Sequence, residues 1–153
     1  MNPPPPLPVT LQQRLRAAGV TPTLQRLTIA GGLLEHPVHM TAEQLLRAVR
    51  EREPGISRAT VYATLRLFAE QGLVRELASL DGAPTVYDSN LAPHHHMFDV
   101  DSGSMIDIPP GQLEVIGMPE VGDDVEVMQV DVVVKVRRRR NGEHGAMALL
   151  MQA

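Results

Sequence analysis

Three helix-start signals followed by an abrupt change of period restrict this chain more than any other feature. Thr21-Pro22 reads as an N-cap with proline at N1, and an apolar series runs on through Leu24, Leu27 and Leu34. Gly31 and Gly32 weaken that segment by about 1 kcal/mol each relative to Ala. Thr41 with Gln44 makes a capping box ahead of Leu45, Leu46 and Val49. Ser57 caps a third segment, in which Val61, Leu65 and Phe68 share a face, and Gly72 stops it after Gln71. Beyond Gly72 the pattern becomes extended. Leu73 to Leu80 reads as a strand, Asp81-Gly82 as a turn and Thr85 to Asp88 as a second strand.

Helix, helix, a third helix and a two-stranded hairpin make a winged helix-turn-helix. Such a unit needs the N-terminal part of its third helix to enter the major groove while hydroxyl and Arg groups hold phosphates. Ser57, Arg58, Thr60, Tyr62 and Thr64 supply those groups, and Arg14, Arg16 and Arg26 are assigned to DNA with them. A plain three-helix core with a polar outer face is the alternative that this pattern alone leaves open.

The charge is unevenly divided. Residues 1–77 hold nine Arg against six Glu, a net +3, whereas the remainder holds five basic residues against twelve acidic ones, a net −7. A basic half suits a polyanion and an acidic half suits cations. The absence of Cys removes disulfides, thiolate zinc, iron–sulfur clusters and cysteine nucleophiles, and it suits a reducing cytoplasm. No apolar run approaches the roughly 20 residues of a membrane span. Met1 to Pro8 is proline-rich with no basic or apolar region of a signal peptide, so residues 1–9 read as a flexible arm.

His94-His95-His96 is the strongest chemical signal in the second half. It precedes an expected strand, Met97 to Val100, a turn at Asp101 to Gly103 and a strand from Ser104 to Ile108. Alternate side chains of an extended segment share a face, so His94 and His96 point together and His95 points away. Two imidazoles on one face suit a divalent transition metal, which then needs carboxylates or a further His. A solvated loop or a stacking surface is the alternative. Val125 to Val136 reads as a long central strand able to pair across a two-fold axis. Arg137 to Arg140 is a charge run that solvent ordinarily takes.

Gly19 to Arg26 (G-V-T-P-T-L-Q-R), Met40 to Leu45 (M-T-A-E-Q-L) and Ile56 to Leu65 (I-S-R-A-T-V-Y-A-T-L), in this order and spacing, resemble the ferric uptake regulator superfamily over roughly residues 10–108. The resemblance implies a homodimeric regulator of operator DNA. Its fold class is α+β: an N-terminal winged helix-turn-helix over 10–90 and a C-terminal α/β dimerisation and sensing domain with a small sheet over 91–153. It also implies a metal site on His39, Asp88, His94, His96 and Asp107, for Fe(II), Mn(II) or Zn(II). Arg58 stands where the family commonly has a small or apolar residue, and Ala63 where it often has Arg or Asn, so base preference differs from the usual pattern. The structural zinc of many relatives, on two CxxC pairs, is missing; the first pair would fall at Asp99 and Ser102. Pro93 and His95 likewise replace the His and carboxylate of a second metal site, and Ile108 to Gly122 reads as a loop with a short strand.

The triple His, the Ile106 to Pro109 stretch and Val130 to Val136 most resemble the iron response regulators within that superfamily. That likeness implies control of iron and haem genes, with haem on His94, His95 and His96. Peroxide- or manganese-responsive regulation is the alternative inside the superfamily. Outside it, two His and a carboxylate also match the facial triad of non-haem iron enzymes, and a metal or haem carrier is a third class.

Overall fold

The computed structural model describes residues 9–77 and 82–138. Its contacts part the chain between Leu91 and Ala92 into two compact units. The proline-rich start, the tip of the hairpin at 78–81, Arg139, Arg140 and His144 lie outside the described residues.

The N-terminal unit begins with a helix that the start signals above do not include. Helix α1, Leu11–Ala17, is opened by Thr10, whose hydroxyl accepts from the Gln13 N–H while the Gln13 side chain accepts from the Thr10 N–H. This is the same capping box that marks Thr41 and Gln44, so the signal was present. Helix α2, Leu24–Leu33, is capped by Thr23 rather than Thr21, because the Thr23 hydroxyl accepts from the Arg26 N–H. Its buried face is Ile29, Ala30 and Leu33, while Leu24 of the expected apolar series is 72% exposed. Strand β1, His39–Thr41, leads directly into α3, Ala42–Arg50, whose capping box on Thr41 and Gln44 is as the sequence indicates. Helix α4, Arg58–Glu70, starts at Ser57 and ends at Gln71, where Gly72 takes a φ of 67° that only glycine adopts freely.

Strands β2, Arg75–Leu77, and β3, Val86–Asp88, form the wing, and β1 adds to β3 on its other side. Both pairings are antiparallel, setting His39 and Arg75 opposite Asp88. The helices close over a core in which Leu15, Ile29, Leu33, Val61, Leu65 and Phe68 are fully buried.

The two glycines of α2 are not equivalent. A Cβ on Gly31 would meet nothing closer than 3.5 Å, whereas one on Gly32 would fall 2.8 Å from Cδ1 of Leu45, itself buried in the core. Gly31→Ala should therefore raise stability by about 0.5–1 kcal/mol through helix propensity. Gly32→Ala should lose that gain to overpacking and come out less stable than wild type. Urea denaturation of the two variants checks this, and equal shifts would rule out a packing role for Gly32.

The second unit is a three-stranded sheet. Strand β4, His95–Asp99, pairs antiparallel with β5, Met105–Ile108, and parallel with β6, Val133–Val136. Two of the three histidines thus lie inside β4 rather than ahead of it. The long strand expected from Val125 is reduced to its last four residues: 125–132 take no strand conformation, although the Val132 carbonyl accepts from the His96 N–H of β4 at 2.9 Å. No strand forms over 109–132 either, and all four described helices belong to the first unit.

Candidate functional site

The β4–β5 register sets His96 directly opposite Asp107. His94, two residues earlier, shares that face, as the alternation of an extended chain requires. The result is a convergence of donors. His94 Nε2 lies 3.0 Å and His96 Nε2 3.9 Å from the same oxygen, Asp107 Oδ1. The two rings stand edge to face with centroids 4.4 Å apart. One donor atom from each of the three residues lies within 4.8 Å of the others. His96 is fully buried and the His94 side chain keeps 9% of its surface, while Asp107 opens to solvent at 33%.

The donor chemistry fits a divalent cation. Nδ1 of His94 lies 2.7 Å from the Ala92 carbonyl, which can only accept, so this nitrogen carries the proton. That tautomer leaves Nε2 directed at the Asp107 carboxylate, so an imidazole nitrogen and a carboxylate oxygen present themselves together to a cation. Donors each about 2.1 Å from one tetrahedral ion sit about 3.4 Å apart, a spacing that the 3.0 and 3.9 Å separations bracket. His95 is differently engaged: its Nδ1 accepts from the Val132 N–H at 3.3 Å. It also borders, with His94, Pro93, Ile108, Pro110 and Leu113, a cavity of about 220 Å³. That is below the roughly 300–1,000 Å³ of ordinary ligand pockets, so a haem has no enclosed seat there.

His39 and Asp88 belong to the N-terminal unit. Asp88 has none of its side chain exposed, and both oxygens are engaged within that unit. Oδ2 lies 2.9 Å from Nη2 of Arg75, and Oδ1 accepts from the Asn90 N–H at 2.7 Å, with His39 Nε2 3.6 Å away. Arg75 also donates to the Asn90 carbonyl, so it ties β2 to the chain leaving β3. Sequence reasoning passed over Arg75; the signal was a basic residue opening the strand that faces a proposed ligand.

Among the residues assigned to DNA, Ser57, Arg58 and Tyr62 are exposed at the start of α4. The Ser57 hydroxyl accepts from the Thr60 N–H at 3.0 Å and lies 2.9 Å from the Thr60 hydroxyl, so both residues form the cap. Thr64 departs from expectation. It is 5% exposed because it lies three residues after Val61 and beside Leu65, at the edge of the buried face, where no groove can reach it. Arg14 donates to the Leu34 carbonyl and Arg26 to the Thr21 carbonyl, while Arg16 is exposed.

At the position where a thiolate pair is missing, Asp99 and Ser102 close the turn by other means. Asp99 Oδ1 accepts from the N–H groups of Asp101 and Ser102. Those bonds, the first above all, hold its carboxyl below the usual carboxylate range. The Arg138 N–H donates to Asp101, and the largely exposed Arg137 and Arg138 side chains lie 3.5 and 3.9 Å from Asp101 and Asp99.

A winged helix and an imidazole–carboxylate cluster on one chain define a metal-responsive, DNA-binding transcription regulator. Comparison with known proteins agrees. The model of the ferric uptake regulator family matches residues 17–135. Over 102 residues, 67% of this chain and 67% of the relative, the sequence is 35% identical to the peroxide-responsive repressor PerR of Staphylococcus epidermidis. It is 36% identical to PerR of Staphylococcus aureus, over 67% of this chain and 68% of that one. The ferric uptake regulator of Pseudomonas aeruginosa, solved with manganese, is 27% identical with a TM-score of 0.61 and covers 84% of this chain and 98% of its own. The Vibrio cholerae ferric uptake regulator, 24% identical over 83% of this chain and 98% of that one, shares the fold at a TM-score of 0.63. The chain belongs to the ferric uptake regulator family. Members of that family are transcription regulators, so the facial-triad enzyme is set aside. No helix among the described residues is long and apolar enough to cross a membrane.

Proposed function

We propose that this chain is a homodimeric repressor that takes operator DNA onto α4 when Fe(II), Mn(II) or Zn(II) is bound by His94, His96 and Asp107, and that it governs genes of iron and haem homeostasis. The observation that carries the metal part is the convergence of two imidazole Nε2 atoms on one carboxylate oxygen. The family motif adds His39 and Asp88 as further ligands. A bound cation supplies a concentrated positive charge that fixes donors from separate segments in one arrangement. The Ala92 carbonyl holds the His94 ring in its ligating tautomer, and burial of His96 keeps water from competing for its nitrogen. Exposed Ser57, Arg58 and Tyr62, with Thr60 and the flanking Arg14, Arg16 and Arg26, face the nucleic acid in this reading.

The dimer is supported by the second unit's thin interior. Phe98 and Ile108 are its only buried apolar side chains among the described residues, whereas Ile116 and Met128 are each 85% exposed. A second copy is the partner that would cover such a surface.

Gel-shift titration with apo, Mn(II)-, Fe(II)- and haem-loaded protein tests the reading. A sequence-specific complex should strengthen at least tenfold with metal, a coupling of about 1.4 kcal/mol, and weaken again on chelation. No sequence-specific complex under any loading rejects the regulator reading. A response to haem that His95→Ala abolishes, with the Mn(II) response intact, assigns the haem signal to the triple His; no response to haem removes haem from it.

The similarity to peroxide-responsive repressors favours a second reading, in which Fe(II)-loaded protein is inactivated through oxidation of His94 or His96. Peroxide treatment should then add one oxygen to the peptide carrying these residues in the Fe(II) form and leave the Mn(II) form unaltered. Unmodified Fe(II) protein would reject peroxide sensing.

A further inference from the structure

Glu43 lies in the first turn of α3, yet both of its carboxylate oxygens are directed at α4. Oε2 accepts from Nη2 of Arg58 at 3.1 Å, and Oε1 accepts from the Tyr62 hydroxyl at 3.3 Å. Arg58 and Tyr62 are four residues apart, so they form one stripe along the N-terminal half of the helix. Both are exposed: the Arg58 side chain keeps 67% of its surface and Tyr62 43%. An ion pair this exposed contributes little to folding. Its consequence lies elsewhere. A long, rotamer-rich Arg and a Tyr are held in one geometry before any partner arrives, which lowers the ordering cost of binding. A carboxylate on a DNA-facing surface otherwise repels phosphate. Here its charge is balanced by Arg58, whose guanidinium has further N–H donors on a side chain that stays 67% exposed.

We propose that Glu43 is a positioning residue for sequence readout. It holds Arg58 and Tyr62 toward base edges and keeps Arg58 from settling on the nearest phosphate. The proposal rests on α4 being the DNA-reading helix. It assigns a role to Arg58, one of the two residues that depart from the family's usual choice, and it makes Glu43 a determinant of specificity more than of affinity.

The test uses full-length, Mn(II)-loaded protein, a duplex that wild type enriches from a random pool, and a scrambled duplex of equal length. In Glu43→Ala the preference for the selected duplex should fall about tenfold, the order of one lost base contact. Affinity for the scrambled duplex should rise, and its salt dependence should steepen by about one phosphate contact per protomer as Arg58 is released. Tyr62→Phe should lower the preference in the wild-type background and add little in the Glu43→Ala background. Glu43→Gln keeps an acceptor for Tyr62 without the charge, so it should reproduce the steeper salt dependence with a smaller loss of preference; it also serves where loss of the first-turn side chain harms folding. A preference within twofold of wild type, with an unaltered salt slope and an undiminished Tyr62→Phe penalty, overturns the role of Glu43. Failure of wild type to enrich any duplex overturns the DNA-reading assignment as well.

Discussion

Asp88→Ala should destabilise the metal-free protein by about 3 kcal/mol, a large part of the roughly 5–15 kcal/mol that holds a domain together. The reason lies in what remains. Asp88 is fully buried, and its removal leaves the Arg75 guanidinium, only 20% exposed, without the carboxylate 2.9 Å away. The Asn90 N–H loses its acceptor at the same time. Breaking one half of a buried pair costs about 3–5 kcal/mol; the low end applies because Arg75 retains its bond to the Asn90 carbonyl and some contact with water. Replacing both partners is a different experiment. Asp88→Ala combined with Arg75→Met should recover part of the loss, since no charge is then left stranded. Urea denaturation in the presence of a chelator separates this role from ligation. If metal-free Asp88→Ala unfolds within about 0.5 kcal/mol of wild type, a value typical of inconsequential surface changes, the carboxylate has no structural part.

The contrast between Asp88 and His94 shows what the sequence could and could not convey. His94 and His96 were legible as a same-face pair because alternation is a property of the local chain, and the segment entering β4 preserves it, with both Nε2 atoms near Asp107 Oδ1. Ser57, Thr41 and Gly72 were legible for the same reason, since a cap is satisfied within three or four residues. Arg75 was not. Its meaning depends on a carboxylate thirteen residues later, brought opposite by the register of the wing. Glu43 likewise reads as an ordinary first-turn acid until α3 and α4 are packed and its oxygens meet Arg58 and Tyr62. The valine run from 125 failed in the other direction. Its composition is that of a strand, but a strand also needs a neighbour, and among the described residues the register with β4 takes in Val133–Val136 alone of that run. Thr64 was misassigned because residue type was weighed ahead of helical position.

His96→Ala should have the largest effect on the sensing half. His96 is the one ligand of the His94–His96–Asp107 group that is fully buried, and it stands opposite Asp107 in the β4–β5 register. Changes to outer-shell partners commonly cost 10–100-fold in metal affinity, so loss of this donor itself should exceed about 100-fold. The consequence reaches stability through linkage. Mn(II) at 100 times its dissociation constant raises the stability of wild type by about 2.7 kcal/mol, and the same concentration should leave the unfolding midpoint of His96→Ala nearly unmoved. His95→Ala is the informative neighbour, because its Nδ1 is given to the Val132 N–H rather than to the Asp107 face. It should bind Mn(II) within a few-fold of wild type. The pair of variants therefore reads the face of β4 directly: equal losses at 95 and 96 would mean that the ion does not choose between the two sides of the strand, and the site would have to be rebuilt without the His94–His96–Asp107 convergence. A midpoint that still climbs with Mn(II) in His96→Ala, and equally in Asp107→Asn, would move the stabilising ion elsewhere on the chain.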